Sequence, residues 1–501
     1  MIHKIISNTQ KYIDGFPKEI RKEMGQFFTS IQTARYMASK IEVHESMKIL
    51  DVGAGTGILS AAALEKVLRS KKVKTMELTL YENDSKVISV LKKNLRLMKD
   101  QCKTKKVKFS YKIIKKNFIV ANGEVWKEKT YKGKFDVVIS NPPYKKIGKD
   151  DIEAKTMDDL IFGQPNIYYL CMAMGAHLLK KGGQFIFIVP RSWTSGLYFK
   201  SFRSYFLNCI SLRSIHLFVS RNKVFEAESV LQETIIVFGK KSNIQIPKIS
   251  ITTSNGTNDF HQLTTLSVNS KICITKDTNR YVLLPVCQDD IEILTIMSDQ
   301  KSTLQSEGYM FKTGQVVEFR NKESIKLYGD NNCIPLIRPF HFNKGYVKFP
   351  AAVSKSQYIY SNVKNCLKIE KKDMLLLKRF TTKEETRRLQ PALLLAEDIN
   401  NNQIAIENHV NYLEKAQGEI SKDELYGIWA LLSTVVWDKY YRILNGSTQV
   451  NATEINSMPI PGIKKIGQIG KEVRLNKKTT NYDKIVKGVL YGKNSGNERD
   501  S

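Results

Sequence analysis

Phe135-Asp136-Val137-Val138-Ile139-Ser140, running straight into Asn141-Pro142-Pro143-Tyr144, is the stretch that decides the fold. The first six residues, mostly apolar, read as a strand buried in a parallel sheet. Two prolines in succession cannot continue it, so the strand stops at Ser140 and the backbone turns rigidly. In open α/β sheets, ligands bind outside the carboxyl ends of the strands. The turn therefore brings a side-chain amide, a fixed prolyl carbonyl and an aromatic ring to a candidate active site. The Asn141 oxygen and the Pro142 carbonyl can both accept hydrogen bonds from one planar NH2 group, and Tyr144 can stack on the base carrying it. Pro143 completes the rigid turn. This combination suits chemistry on an exocyclic amine. The plain alternative is a strand-to-loop turn with a solubilising Asn and Tyr.

Upstream, residues 47–52 (MKILDV) form another short buried-strand pattern that breaks into Gly53-Ala54-Gly55-Thr56-Gly57 before a helical run from Ile58. Alternate glycines let backbone approach a ligand, and the turn feeds a helix N-terminus. The spacing is GxGxG, and Asp51 sits at the strand end. A carboxylate there repels a pyrophosphate and suits a cationic amino-acid ligand. S-adenosylmethionine carries both an ammonium and a sulfonium. The next strand, 76–81, ends at Glu82, and an acid about 20 residues past such a loop binds ribose hydroxyls; Asp84 is the second choice. A third strand, 107–114, leads to Asn117 and Phe118. These face the cofactor adenine, or Asn117 caps the following turn. Before the first strand, GQFFTS (25–30) reads as a loop into a capped helix. Thr29 or Ser30 supplies the cap, and the aromatic pair Phe27-Phe28 covers the cofactor's methionine end or serves as a hydrophobic staple.

The charge points to a polyanion. Lys and Arg number 79 against 49 Asp and Glu, a net charge of +30 over 501 residues, with a pI near 9.6. Nucleic acid is the default partner for so basic a chain, and an anionic membrane the competitor. No stretch reaches the roughly 20 apolar residues that span a bilayer, and the N-terminus does not read as a signal peptide, so no membrane partner is expected. The seven cysteines (Cys102, Cys171, Cys209, Cys273, Cys287, Cys333, Cys366) include no Cys-x-x-Cys pair. That argues against a metal site and a disulfide framework, and for a reducing compartment. None follows a proline in a post-strand turn, which removes the obvious thiol nucleophile for attack on a pyrimidine ring.

The order GQFFT, LDVGAGTG, YEND, NF, NPPY resembles the gamma class of N6-adenine DNA methyltransferases of type II restriction–modification systems. The resemblance implies a Rossmann-like S-adenosylmethionine-dependent α/β sheet, followed by a C-terminal mixed α/β target-recognition domain. It places Phe28 and Thr29 on the cofactor's methionine part, Asp51, Gly53, Gly55 and Gly57 in the cofactor loop, Glu82 on the ribose, and Asn117 and Phe118 on the adenine. Asn117 departs from the family, which has Asp there. Further on, Phe225 in VFEA (224–227) stands where the family stacks an aromatic on the flipped target base, opposite Tyr144. Its plain reading is a core phenylalanine at a hairpin mouth.

The texture changes near Lys240, so we expect a catalytic domain over 1–243 and a recognition domain over 244–501, joined by a polar connector (240–258). Lys312–Gln315, Arg338–Phe342, Lys378–Thr381 and Arg387–Arg388 set basic residues beside aromatic or polar ones, a mixture suited to phosphate and base contacts. Residues 425–444 read as one amphipathic packing helix, and the Lys-rich end from Lys464 as a loose basic tail. TGQVV, IPLIRPFHF and NGSTQVNATEINSMPIP resemble the recognition domains of the BsuBI/PstI modification methylases across the whole chain, which implies methylation of adenine in CTGCAG.

The expected chemistry needs no metal. Acceptors aimed at the amine stabilise the positive charge it develops on attacking a methyl group, and the base must be extruded from the duplex. The expected protein is a bacterial cytoplasmic, monomeric DNA methyltransferase that uses S-adenosylmethionine, binds duplex DNA and needs no stable protein partner. The alternatives are an RNA methyltransferase acting on an exocyclic base amine, and a non-catalytic DNA-specificity subunit.

Overall fold

The computed structural model describes residues 1–15, 28–218, 233–363, 367–382, 384–476 and 481–491. They fall into two compact units, Met1–Gln288 and Asp289–Ser501.

The first unit is built on one nine-stranded sheet. Its strands are β1 (Ser46–Val52), β2 (Thr75–Tyr81), β3 (Lys108–Ile114), β4 (Phe135–Ser140), β5 (Leu179–Pro190), β6 (Ile210–Phe218), β7 (Thr234–Lys241), β8 (Lys248–Ser254) and β9 (Thr264–Asn269). They lie in the order β3-β2-β1-β4-β5-β7-β6-β8-β9. β3, β2, β1, β4 and β5 are mutually parallel, and β7 enters antiparallel between β5 and β6. The apolar runs of β1 and β4 are buried along nearly their whole length, as expected of central parallel strands covered on both faces. Strand order reverses between β1 and β4, so the crevice for a ligand opens where these two end.

The covering helices used below are α1 (Ile2–Asp14), α2 (Ile31–Ser39), α3 (Ile58–Arg69), α4 (Ser85–Thr104), α5 (Phe118–Ala121), α6 (Ile152–Thr156) and α7 (Ile167–Leu178). Ser30, Asp84 and Asn166 cap α2, α4 and α7 through side-chain oxygens, each satisfying a donor the helix cannot use itself. Every residue of α7 from Tyr168 to Leu178 is buried, which suits a helix apolar on all sides. Ile49, Leu64, Leu78, Leu91, Ile139 and Ile186 belong to one core cluster on the sheet. Burying each such side chain contributes roughly 1.5–3 kcal/mol.

The sheet runs past the boundary expected at residue 243. β8 lies inside the supposed polar connector and pairs in parallel with β6, setting Ile215 against Ile251. Its Ile249 and Ile251 are buried while Lys248 is exposed. Alternation of that kind makes a sheet strand even where Ser and Thr keep mean hydropathy low. The Tyr36 hydroxyl on α2 bonds Thr252, 3.0 Å away, and its ring stacks on Phe260 at 4.5 Å. These contacts hold the added segment to the first unit, which closes at Gln288.

The second unit carries a six-stranded and a five-stranded sheet. Strands Gln403–Ile406 and Val410–Lys415 belong to different sheets, so residues 407–409 form the hinge between them. The stretch 425–444 is two helices, Lys422–Leu432 and Val435–Leu444, rather than one. Ser433 ends the first and Thr434 caps the second, its hydroxyl accepting from the Trp437 amide. Threonine offers the backbone that alternative bond, and the apolar pattern on either side conceals the break. Helix Ile463–Leu475 packs its Ile466, Ile469 and Val473 inward, so this part of the expected loose tail is a docked helix.

Candidate active site

Two motifs 88 residues apart meet because β1 and β4 are neighbours that end together. Val52 pairs with Ser140, and the Ser140 hydroxyl donates to the Val52 carbonyl at 2.6 Å. The chains then leave the sheet side by side. A Cβ built on Gly53 would lie 3.7 Å from the Asn141 carbonyl oxygen and 3.8 Å from Pro143 Cδ. Gly53, Gly55 and Gly57 all have positive φ (68°, 54° and 85°), a region closed to most side chains. The loop is braced from behind. Fully buried Asn94 on α4 donates to the Thr56 carbonyl at 2.8 Å, and Thr9 on α1 donates to the Thr56 hydroxyl at 2.8 Å.

The loop and the turn border a cavity of about 370 Å³ whose lining includes Phe28, Thr29, Glu82, Asn117, Phe118, Asn141 and Pro143. The fold thus brings together residues from five separate segments of the sequence. Glu82 is buried, with one carboxylate oxygen accepting from the Gly55 amide at 2.8 Å and the other from the Asp84 amide at 2.9 Å. Burial raises its pKa despite these bonds, and both oxygens keep lone-pair capacity for hydroxyl donors. Asp84 itself caps α4 through the Lys86 amide.

Asp51 is placed differently from the reading of a direct ligand. It is fully buried and is not among the residues lining the cavity. One oxygen accepts from the Ser60 hydroxyl at 2.5 Å, and Oδ1 has no hydrogen-bond partner. Burial, with Glu82 nearby as a second negative charge, pushes its pKa up to about 7. A buried orphan oxygen under a glycine loop fits a site built to receive positive charge.

Asn117 caps the helix that follows it, as one of its two readings expects, and also lines the cavity. Its oxygen accepts from the Ile119 and Val120 amides at 3.0 and 3.3 Å. Its amide nitrogen donates to Glu153 on α6 at 2.7 Å. Glu153 lines the cavity too, and nothing in the motif order had singled it out.

Asn141 is held from both sides. Its nitrogen donates to the Thr29 hydroxyl at 3.0 Å, and the Tyr144 hydroxyl donates to its oxygen at 2.9 Å. Tyr144 also reaches the Ile188 carbonyl at 3.1 Å, and burial lifts its pKa well above the usual value, so the hydroxyl stays a donor. Ser30, not Thr29, is the cap of α2, and the Thr29 hydroxyl instead orients the Asn141 amide. Phe225 lies outside the described residues.

In the second unit, three of the four basic segments adjoin one hinge. Val316 bridges Glu407, Ile337 pairs with Ile406, and Lys378 pairs with Val410. Just beyond, the guanidinium groups of Arg320, Arg338 and Arg379 lie 5.4, 5.4 and 5.5 Å from the ring centres of Phe319, Phe340 and Phe380. Phe380 in turn meets His409 edge-on at 4.8 Å. The fourth segment departs from expectation at Arg388. This side chain is fully buried, donates to Thr381 and sits 5.6 Å from the Tyr441 ring centre. His341, in the second segment, is likewise buried and bonded to Gln357.

Known proteins agree with this architecture. Residues 55–225 match the Eco57I restriction-modification methylase family. Type II methyltransferase M.BsuBI of Bacillus subtilis is 32% identical over 90% of each chain. The chain belongs to the type II restriction–modification methyltransferases. Type II methyltransferase M.PstI of Providencia stuartii is 29% identical over 94% of each chain. The fold of the type IIL restriction-modification enzyme MmeI, solved with DNA, superposes with a TM-score of 0.52 at 11% identity, covering 99% of this chain and 75% of that one. This DNA methyltransferase accordingly uses S-adenosyl-L-methionine, and the glycine loop, the orphan Asp51 oxygen and the Glu82 carboxylate fit that cofactor. No helix among the described residues is long and apolar enough to cross a membrane.

Proposed function

We propose that this type II methyltransferase methylates adenine N6 in duplex DNA, at CTGCAG, and so protects bacterial DNA in the cytoplasm from a cognate endonuclease. The carrying observation is the Asn141-Pro142 turn beside the glycine loop, with Thr29 fixing the Asn141 amide so that its oxygen faces Tyr144. Bound S-adenosylmethionine supplies an electrophilic methyl group on sulfur. The Asn141 oxygen and Pro142 carbonyl would accept the two amine hydrogens and draw density onto the nitrogen as its bond to the methyl forms and the methyl–sulfur bond breaks, the sulfur leaving as a neutral thioether and the surplus amine proton passing to solvent. Tyr144 can shift its hydroxyl wholly to the Ile188 carbonyl as the amine arrives, so freeing Asn141 costs little. Its ring, with Phe225, stacks the extruded base.

In this reading Phe28 and Thr29 cover the methionine part, Gly53, Gly55 and Gly57 let backbone meet it, Asp51 lies beneath as counter-charge, and Glu82 takes the ribose. Phe118 packs on the cofactor adenine. The hinge at 407–409 faces DNA, its arginine–phenylalanine pairs being suited to phosphate contacts and stacking. One chain acts per site without a stable protein partner, since sites hemimethylated after replication present one target strand.

The test separates binding from chemistry. Asn141→Asp keeps an acceptor oxygen and retains some turnover on CTGCAG duplexes. Asn141→Ala removes it and abolishes turnover while S-adenosylhomocysteine still binds. Near-normal methylation by the Ala variant would refute this account.

A further inference from the structure

The cofactor's adenine carries an exocyclic NH2, which needs a hydrogen-bond acceptor in its pocket. Asn117 cannot supply one. Its single carbonyl oxygen has two lone pairs, and both are taken by the Ile119 and Val120 amides at the start of α5. Only its nitrogen still points elsewhere, and one hydrogen of that nitrogen goes to Glu153 at 2.7 Å. Glu153 brings a carboxylate, with about four acceptor positions, to the wall of the cavity that Asn117 and Phe118 also line. The short helix that carries it is closely packed. α6 lies so close to the residues after α5 that a Cβ on Gly123 would come within 2.9 Å of Thr156 Cγ2.

We propose that Glu153 is the residue that recognises the cofactor's adenine amine, Asn117 acting as the bracket that caps α5 and orients it. Charge lost from position 117, where the resembling family has Asp, is restored from a different element 36 residues along. The pair also has a division of labour. Glu153 accepts from the NH2 group, and the second hydrogen on the Asn117 nitrogen remains for a ring nitrogen. A purine with a 6-oxo group presents an acceptor to the same carboxylate and is rejected, because two acceptors face each other without a proton between them.

This inference rests on the cofactor placement proposed above, and calorimetric titration separates the two. Wild-type enzyme is titrated with S-adenosylhomocysteine and with S-inosylhomocysteine, in which the amine is an oxo group. The wild type should prefer the adenosine compound. Glu153→Ala should weaken that compound by about tenfold or more, the loss expected for a bond to a charged partner, and should strengthen the inosine compound, since the opposed acceptor is gone. Glu153→Gln, which keeps one acceptor and the Asn117 contact, should fall between. Glu82→Ala is the control, since a lost ribose contact weakens both compounds alike. Equal weakening of both compounds by Glu153→Ala, or none, with Glu82→Ala behaving as stated, would overturn the role of Glu153 and leave the cofactor placement standing. Asn117→Asp sets two carboxylates together and should weaken binding. Adding Glu153→Gln to it restores a donor–acceptor pair and should recover affinity; failure to recover would also count against the bracket.

Discussion

Asp51 shows how one buried carboxyl couples cofactor binding to protons. With its pKa pushed up to about 7 by burial and by Glu82, the carboxyl is partly protonated near neutral pH. A cationic ligand favours the ionised form, so binding should release a proton. Affinity for S-adenosylmethionine is expected to be level above pH 8 and to fall as pH drops below 7, by up to about tenfold per unit. Titrations in buffers of different ionisation heat measure the proton release; flat affinity from pH 6 to 8 would contradict it. The linked stability term has the opposite sign. A carboxyl whose folded pKa is raised contributes stability at low pH that is lost as pH rises through 7, so the unliganded protein should lose part of its stability across that range. Asp51 was legible as an acid at a strand end, but its burial was not, because sequence does not say which side of a loop a side chain takes. Asn117 and Glu153 make the same point. Capping is local and could be anticipated, whereas a partner 36 positions away is set by packing of two short helices.

At the scale of elements, the parallel strands could be read because central strands are buried on both faces and leave continuous apolar runs. β8 and the paired helices 422–444 could not. The first hides its two isoleucines among Ser and Thr, and the second hides a Thr cap inside an apolar pattern. The glycine loop was read for its openness to a ligand, yet its support comes from α1 and α4, through the Thr9 and Asn94 hydrogen bonds to Thr56 and through Leu91 packed beside Gly57. Gly57→Ala should therefore act on both counts. It places a side chain at φ 85° and a methyl 2.8 Å from Leu91 Cδ1. We expect a loss of about 1–2 kcal/mol in urea unfolding, together with weaker cofactor binding. Unchanged stability would mean the loop relaxes without cost.

For the whole molecule, a net charge of +30 makes DNA affinity depend steeply on salt. The basic segments are visible in the sequence, but only the topology shows that three of them adjoin the 407–409 hinge, and that Arg388 and His341 are buried inside the second unit. Arg379→Ala should lower affinity for CTGCAG duplexes by roughly tenfold and leave cofactor binding intact, as fluorescence anisotropy can measure. If Arg379 contacts a phosphate alone, the loss will be shared by unrelated duplexes and the salt slope will fall by about one. A variant with wild-type binding to every duplex would remove the hinge from the DNA-facing surface. The most direct measurement is methyl incorporation from labelled S-adenosylmethionine into duplexes with and without CTGCAG, followed by nucleoside analysis. The account predicts N6-methyladenine, confined to duplexes containing that site. A label on cytosine, or transfer to RNA alone, would contradict it.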